Sequence, residues 1–293
     1  MVWNMQTVPW RALAVFGAAV AFMGCASAPA PEAMDNPLRK EVILVLTQKM
    51  EIISVNSGQP ERVLKRVAIQ GLPYGEILIG MDYRISKGVL FAMSRSGILY
   101  TLDCGTGVAT AISKEPINPA LSGNVFGFDF NPVADRIRVV SDKGQNLRLH
   151  PDTGVVAAVD PELAYAAGDL HWSNKPELVA AAYTYNKNDD KLTTNYAIDR
   201  RLGTLVTQGS VESVTPVTSP NTGLLRTVGL LTLGPLLDAS FDISDVTGAG
   251  LAAVRSVANP ITRLVLINLQ SGKAELLGIL GDGKPVVGVA VEP

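Results

Sequence analysis

Three aspartates carry most of this chain's prospects for chemistry. Asp82, Asp129 and Asp242 each stand third in a short apolar segment: GMDYR at 80–84, GFDFN at 127–131 and SFDIS at 240–244. Two further segments of the same shape, AAAYT at 180–184 and GVAVE at 288–292, have Ala182 and Ala290 in that place. Carboxylates that converge can serve as general acid and base, or as the oxygen ligands that calcium and magnesium prefer. The matching reaction would be hydrolysis or elimination on a sugar or lactone. The competing reading is structural: each Asp caps a turn or pairs with a nearby Arg, with Arg84, Arg136 and Arg138 as candidates. Strand alternation favours the structural reading. In FGFDF, Phe126, Phe128 and Phe130 share one face, and Gly127 and Asp129 the other, so Asp129 is expected to be buried and hydrogen-bonded.

Other motifs exclude more than they offer. The chain has no CxxC, HExxH, GxSxG or P-loop, and only two histidines, His150 and His171, which rules out the familiar multi-histidine metal sites. No metal or cofactor is assigned. His171 and Trp172 lie together in a loop between repeats, where an aromatic beside polar groups can stack on a ligand or pack between blades. YTYNKNDD at 183–190 lacks the acid spacing and the glycine of a calcium loop and reads as a solvated turn. Segment 207–223 reads as a long loop. Cys104 has no neighbouring histidine in the sequence and reads as an inert thiol. Charge is nearly balanced, 25 Lys and Arg against 27 Asp and Glu, so a nucleic-acid partner is not expected.

The elements that position these residues are strands. After residue 40, short runs rich in Val, Ile, Leu, Tyr and Phe alternate with Gly, Pro, Asn and Asp, the strand-and-turn signature. The five aspartate or alanine segments begin 47, 53, 60 and 48 residues apart. Inside each unit a second marker follows, a strand that ends in a glycine turn, as in ILYTLDCGTG (98–107), LRLHPDTG (147–154), NYAIDRRLG (195–203) and LVLINLQSG (264–272). A period of about 40–50 residues with about four strands describes propeller blades. The unit at Val42–Leu72 lacks a first strand, while Val286–Glu292 is a first strand without a unit. The expected fold is therefore all-β: a five-bladed β-propeller over residues 42–293, closed by the C-terminal strand completing the N-terminal blade. An open solenoid or a sixth blade is the alternative, because the two longer spacings leave room for extra strands near 160–176 and 208–237.

The repeats also resemble a bacterial family known as domain of unknown function 4394. The resemblance is carried by GFDFNPVADRIRVVSDKGQNLRLHPDTG (127–154), GILYTLDCGTGVAT (97–110), VAAAYTYN (179–186) and FDI (241–243). It implies propeller-like repeats in a secreted or surface protein. It implies no activity and no functional residue. Where the family commonly has Pro after the Asp of LYTxD, this chain has Cys104.

The N-terminus reads as an address. Arg11 precedes thirteen uncharged residues, ALAVFGAAVAFMG, and then Cys25. That run is short for a membrane span and fits a secretory signal. FMGC at 22–25 resembles a lipobox, so residues 1–24 are expected to be a lipoprotein signal peptide and Cys25 the lipidated residue. An ordinary cleavage near Ala26–Ala28 is the alternative. Residues 25–41, rich in Ala and Pro, read as a tether. Ala26 replaces the Asp of an inner-membrane retention signal, which points to the outer membrane. The expected protein is an exported scaffold, bound to the membrane only through its lipid, that binds an envelope protein or glycan. The enzyme described above is the alternative.

Overall fold

A computed structural model describes residues 1–2 and 39–293; nearly all of the expected signal peptide, Cys25 and most of the expected tether lie outside the described residues. Blade one is built from β1 (Val42–Thr47), β2 (Glu51–Asn56) and β3 (Gln59–Ala68). Blade two holds β4 (Leu78–Arg84), β5 (Val89–Ser94), β6 (Leu99–Leu102) and β7 (Ala109–Ala111). Blade three holds β8 (Phe126–Asn131), β9 (Arg136–Ser141), β10 (Asn146–Leu149) and β11 (Val156–Val159). A two-residue strand, β12 (Ala164–Tyr165), precedes blade four, which is β13 (Leu178–Tyr183), β14 (Asn195–Asp199), β15 (Thr204–Gln208) and β16 (Leu224–Leu230). Blade five holds β17 (Leu236–Ile243), β18 (Gly250–Ser256), β19 (Arg263–Ile267) and β20 (Ala274–Ile279), and β21 (Val286–Val291) ends the chain.

β21 does not extend blade five. It pairs antiparallel with β1, Ile43 opposite Val291 and Val45 opposite Val289, and becomes the innermost strand of blade one. The ring is thus a closed five-bladed propeller, as the incomplete ends of the sequence require. Closure pairs the inner side of β1, and the edge that remains, that of β21, faces the axis rather than solvent. The long spacings do not make a sixth blade. β12 joins the outer edge of blade four in parallel with β16, and β16 is that blade's own fourth strand.

Alternation along the strands explains the core. Both faces of a propeller blade pack on neighbours, so the apolar residues of the strands divide between two interfaces. Five buried clusters result, one for each junction in the ring. Phe128 and Phe130 face blade two, with Phe130 edge-on to Phe91 at 5.1 Å between centroids. Residues on the other face of the innermost strands meet the next blade close to the axis, where there is little room. A Cβ on Gly127 would lie 2.6 Å from the Ala181 nitrogen, and one on Gly80 would lie 2.7 Å from the Phe128 Cβ. The same place in the remaining innermost strands is held by Ala180, Ser240 and Gly288, and the space enclosed at this level is only about 10 Å³. The axis is filled there.

Candidate functional site: the axial carboxylates

An innermost strand pairs on one side only, so alternate N–H groups have no partner within the sheet. Directly after the repeated third position come Tyr83, Phe130, Tyr183, Ile243 and Val291, one in each blade. All five of their amides donate to an axial carboxylate. Asp82 accepts from Tyr83 N at 2.7 Å and from Phe130 N at 2.8 Å. Asp129 Oδ2 accepts from Tyr183 N at 2.8 Å. Asp242 accepts from Ile243 N and from Val291 N, both at 2.6 Å. Each acid therefore ties its own blade to the next, and Asp242 ties blade five to the closing strand.

This count explains the two alanines. Here each oxygen accepts at most one of these amides, so three acids supply enough oxygens for the five buried donors. With Asp82 serving blades two and three, Asp129 four, and Asp242 five and one, Ala182 and Ala290 leave nothing unpaired. Further acids would add only repulsion. Five of the six carboxylate oxygens are taken. The sixth, Asp129 Oδ1, receives no hydrogen bond among the described residues.

The three acids are 3–7% exposed, and one oxygen of each lies within 4.8 Å of the others. That spacing is within what a calcium ion, with ligands at about 2.3–2.6 Å, can bridge. Burial raises all three carboxyls above their ordinary range. For Asp82 the Asp242 charge adds to it, and for Asp129 the charges of Asp82 and Asp242 do. Asp242 is raised to about 6, its two amide donors opposing the effect of burial. Asp245, three residues further on, is raised to about 7 by burial and by Asp242, with Lys187 opposing. The sequence repeats did not mark Asp245, because it lies past the end of β17 and has no counterpart in the other units.

These shifts have a definite sign. A carboxyl raised in the folded protein favours the protonated form, so its stabilising effect is complete below its ordinary value and is lost as pH rises through the raised one. Urea stability is expected to fall from about pH 4 until each raised value is passed, near pH 6 for Asp242 and near pH 7 for Asp245, by at most about 1.4 kcal/mol per pH unit for each carboxyl protonated only in the folded state. The triple Asp82→Asn, Asp129→Asn, Asp242→Asn variant should flatten that slope. Repeating the pH 7 measurement with excess calcium separates the two ways of neutralising the ring. Recovered stability means a cation replaces the proton; no recovery means the proton acts alone.

The expected arginine pairing is not found. Arg84 extends to Asp135 and Asp152 on the surface, its Nε donating to Asp135 at 2.8 Å. Arg136 donates to the Asp135 carbonyl. Arg138 stands directly across the ladder from Asp129. Its guanidinium instead donates to Asn146 at 2.7 Å, Asp160 at 2.6 Å, Asn221 at 2.7 Å and the Tyr183 hydroxyl at 3.1 Å. A long side chain overshoots a short one opposite it. Arg138 fastens blade three to Tyr183 and to the loop that follows β15, and leaves the axial acid to the backbone.

His171 and Trp172 are not brought to the acids. Their turn is held by Asp169, which accepts from Thr227 N at 2.6 Å on the outer strand β16. His171 rests edge-on to Tyr165 at 5.7 Å, and Trp172 is 65% exposed rather than packed between blades. In YTYNKNDD, Asn186 caps the Asn188 and Asp189 amides, as befits a solvated turn.

Comparison with known proteins places the chain in a family. Among solved structures it is similar to a Bacteroides thetaiotaomicron protein of unknown function, at 13% identity and a TM-score of 0.48, over 81% of this chain and 57% of that one. It is also similar to Myxococcus xanthus glutaminyl cyclase, at 11% identity and a TM-score of 0.45, over 81% and 94% of the two chains. A third, the dihydro-heme d1 dehydrogenase NirN, gives 13% identity and a TM-score of 0.35, over 84% and 57%. This chain thus spans just over half the length of the first and third of these. No curated protein matches. The family model for domain of unknown function DUF4394 matches residues 51–290, so nearly the whole propeller lies within it and the chain belongs to that family.

Proposed function

We propose that the protein is an exported, lipid-anchored binding scaffold of the cell envelope, held at the outer membrane through Cys25, whose propeller faces engage a protein or glycan. The observation that carries the reading is how the axial acids are used. Five of their six oxygens hold the innermost strands together, and the axis beside them is filled. Acids so committed serve the ring rather than a substrate, which disfavours the hydrolase or lyase alternative.

Two measurements test the reading. Palmitate labelling is expected to follow Cys25, with Cys25→Ala losing the label and leaving the membrane fraction; unchanged labelling would remove the anchor. Affinity capture of the anchored protein from its own envelope should return a protein or glycan partner. Turnover of lactones or glycosides by the wild type, lost in the triple Asp→Asn variant, would replace the scaffold with the enzyme.

A further inference from the structure

At the mouth of the ring where the innermost strands begin, a cavity of about 290 Å³ opens between blades one, two, three and five. Its walls are mainly apolar, with Ile79, Phe126 and Val287 among them, while Gln48, Asn124 and Ser240 add polar groups. Its floor is the filled part of the axis, so the cavity is blind. Arg95, immediately after β5, lines it. Two contacts hold this side chain: Nη2 donates to the Gly123 carbonyl at 2.7 Å, and the guanidinium carbon lies 5.1 Å from the centre of the Phe126 ring. No carboxylate lies within 4.0 Å of the guanidinium among the described residues. Asp238, which lines the cavity from blade five, is already bound to Arg255 at 2.8 Å. The mouth therefore presents one oriented, uncompensated cation above apolar walls.

We propose that this mouth binds a small organic monocarboxylate, its carboxylate on Arg95 and its apolar body against the Ile, Val and Phe walls. A guanidinium has five N–H donors in a planar fork that matches a carboxylate. A blind apolar pocket with few polar groups is the usual form of a small-molecule site. The single unpaired cation selects for one negative charge. A phosphate dianion would bring a second charge into apolar surroundings with nothing to meet it. The inference deepens the scaffold reading by giving one face a ligand class, and the two can fail separately, because binding is measured whether or not Cys25 carries lipid.

The test is calorimetric titration of the full chain in nanodiscs with hexanoate and, in parallel, hexylamine. Saturable hexanoate binding is expected, weakened at least tenfold by Arg95→Gln, with hexylamine not binding. Arg95→Lys should recover part of the loss, since it restores the charge without the fork. Circular dichroism melts of both variants should match the wild type, because Arg95 is exposed and lies outside the buried clusters. No saturable hexanoate binding would overturn the proposal. So would equal affinity in Arg95→Gln, or equal binding of hexylamine.

Discussion

Truncation after Pro285 should abolish the folded monomer. The deletion removes β21, and with it the innermost strand of blade one and its pairing with β1. Val289 and Val291 are 4% exposed and Ala290 fully buried. Burying a valine contributes about 1.5–3 kcal/mol. The truncation also exposes apolar residues of β1, β4 and β17 that had packed on β21, and leaves one oxygen of Asp242 without its donor. Against a total stability of about 5–15 kcal/mol for an ordinary domain, a loss spread over two interfaces and one ladder is decisive. It also opens the ring, offering the unpaired side of β1 to other chains. Size-exclusion chromatography and near-ultraviolet circular dichroism should show aggregated or unfolded protein. A peptide covering 284–293, added in excess, should restore the monomer by refilling the place of β21. A truncated chain that melts like the wild type would show that closure contributes little.

Alanine replacements of the axial acids should be unequal, in an order set by how many amides each acid serves. Asp82→Ala and Asp242→Ala each strand two buried N–H groups, while Asp129→Ala strands one. An unsatisfied buried donor costs about 1–3 kcal/mol. The first two variants should therefore lose about 2–6 kcal/mol and the third about 1–3 kcal/mol, less whatever is regained by removing a like charge. The substitution fits sterically, since alanine already occupies this place in two blades at Ala182 and Ala290. Urea unfolding midpoints with unchanged slopes would give the order directly. Equal losses at all three positions, or a gain from any of them, would mean that repulsion rather than amide pairing dominates at the axis.

Much of the fold was legible because a propeller repeats its instructions. The segment that opens each unit and the glycine turn within it recur at a blade's spacing, and the unpaired first and last pieces imply closure. The axial acids were legible as a repeated position, and alternation alone indicated that Asp129 is buried. What could not be read was the reason for three acids rather than five, because the quantity that decides it is a count of backbone donors, which no side chain reveals. Arg138 misled for a related reason: strand register sets who stands opposite, but side-chain length sets who is reached. Arg95 gave no signal at all. It belongs to no repeated position, and its importance depends on which carboxylates are absent around it once the ring has closed.

The point where the chain enters the ring distinguishes its two faces. The described chain joins the ring at Val42, whose carbonyl accepts from Glu292 N just past the end of β21, and Glu41 there accepts from Ser57 and Thr247. This is the face where the innermost strands finish, opposite the Arg95 mouth. The chain thus enters the ring on the side carrying Asp245 and Glu292, and the Arg95 mouth lies on the other face.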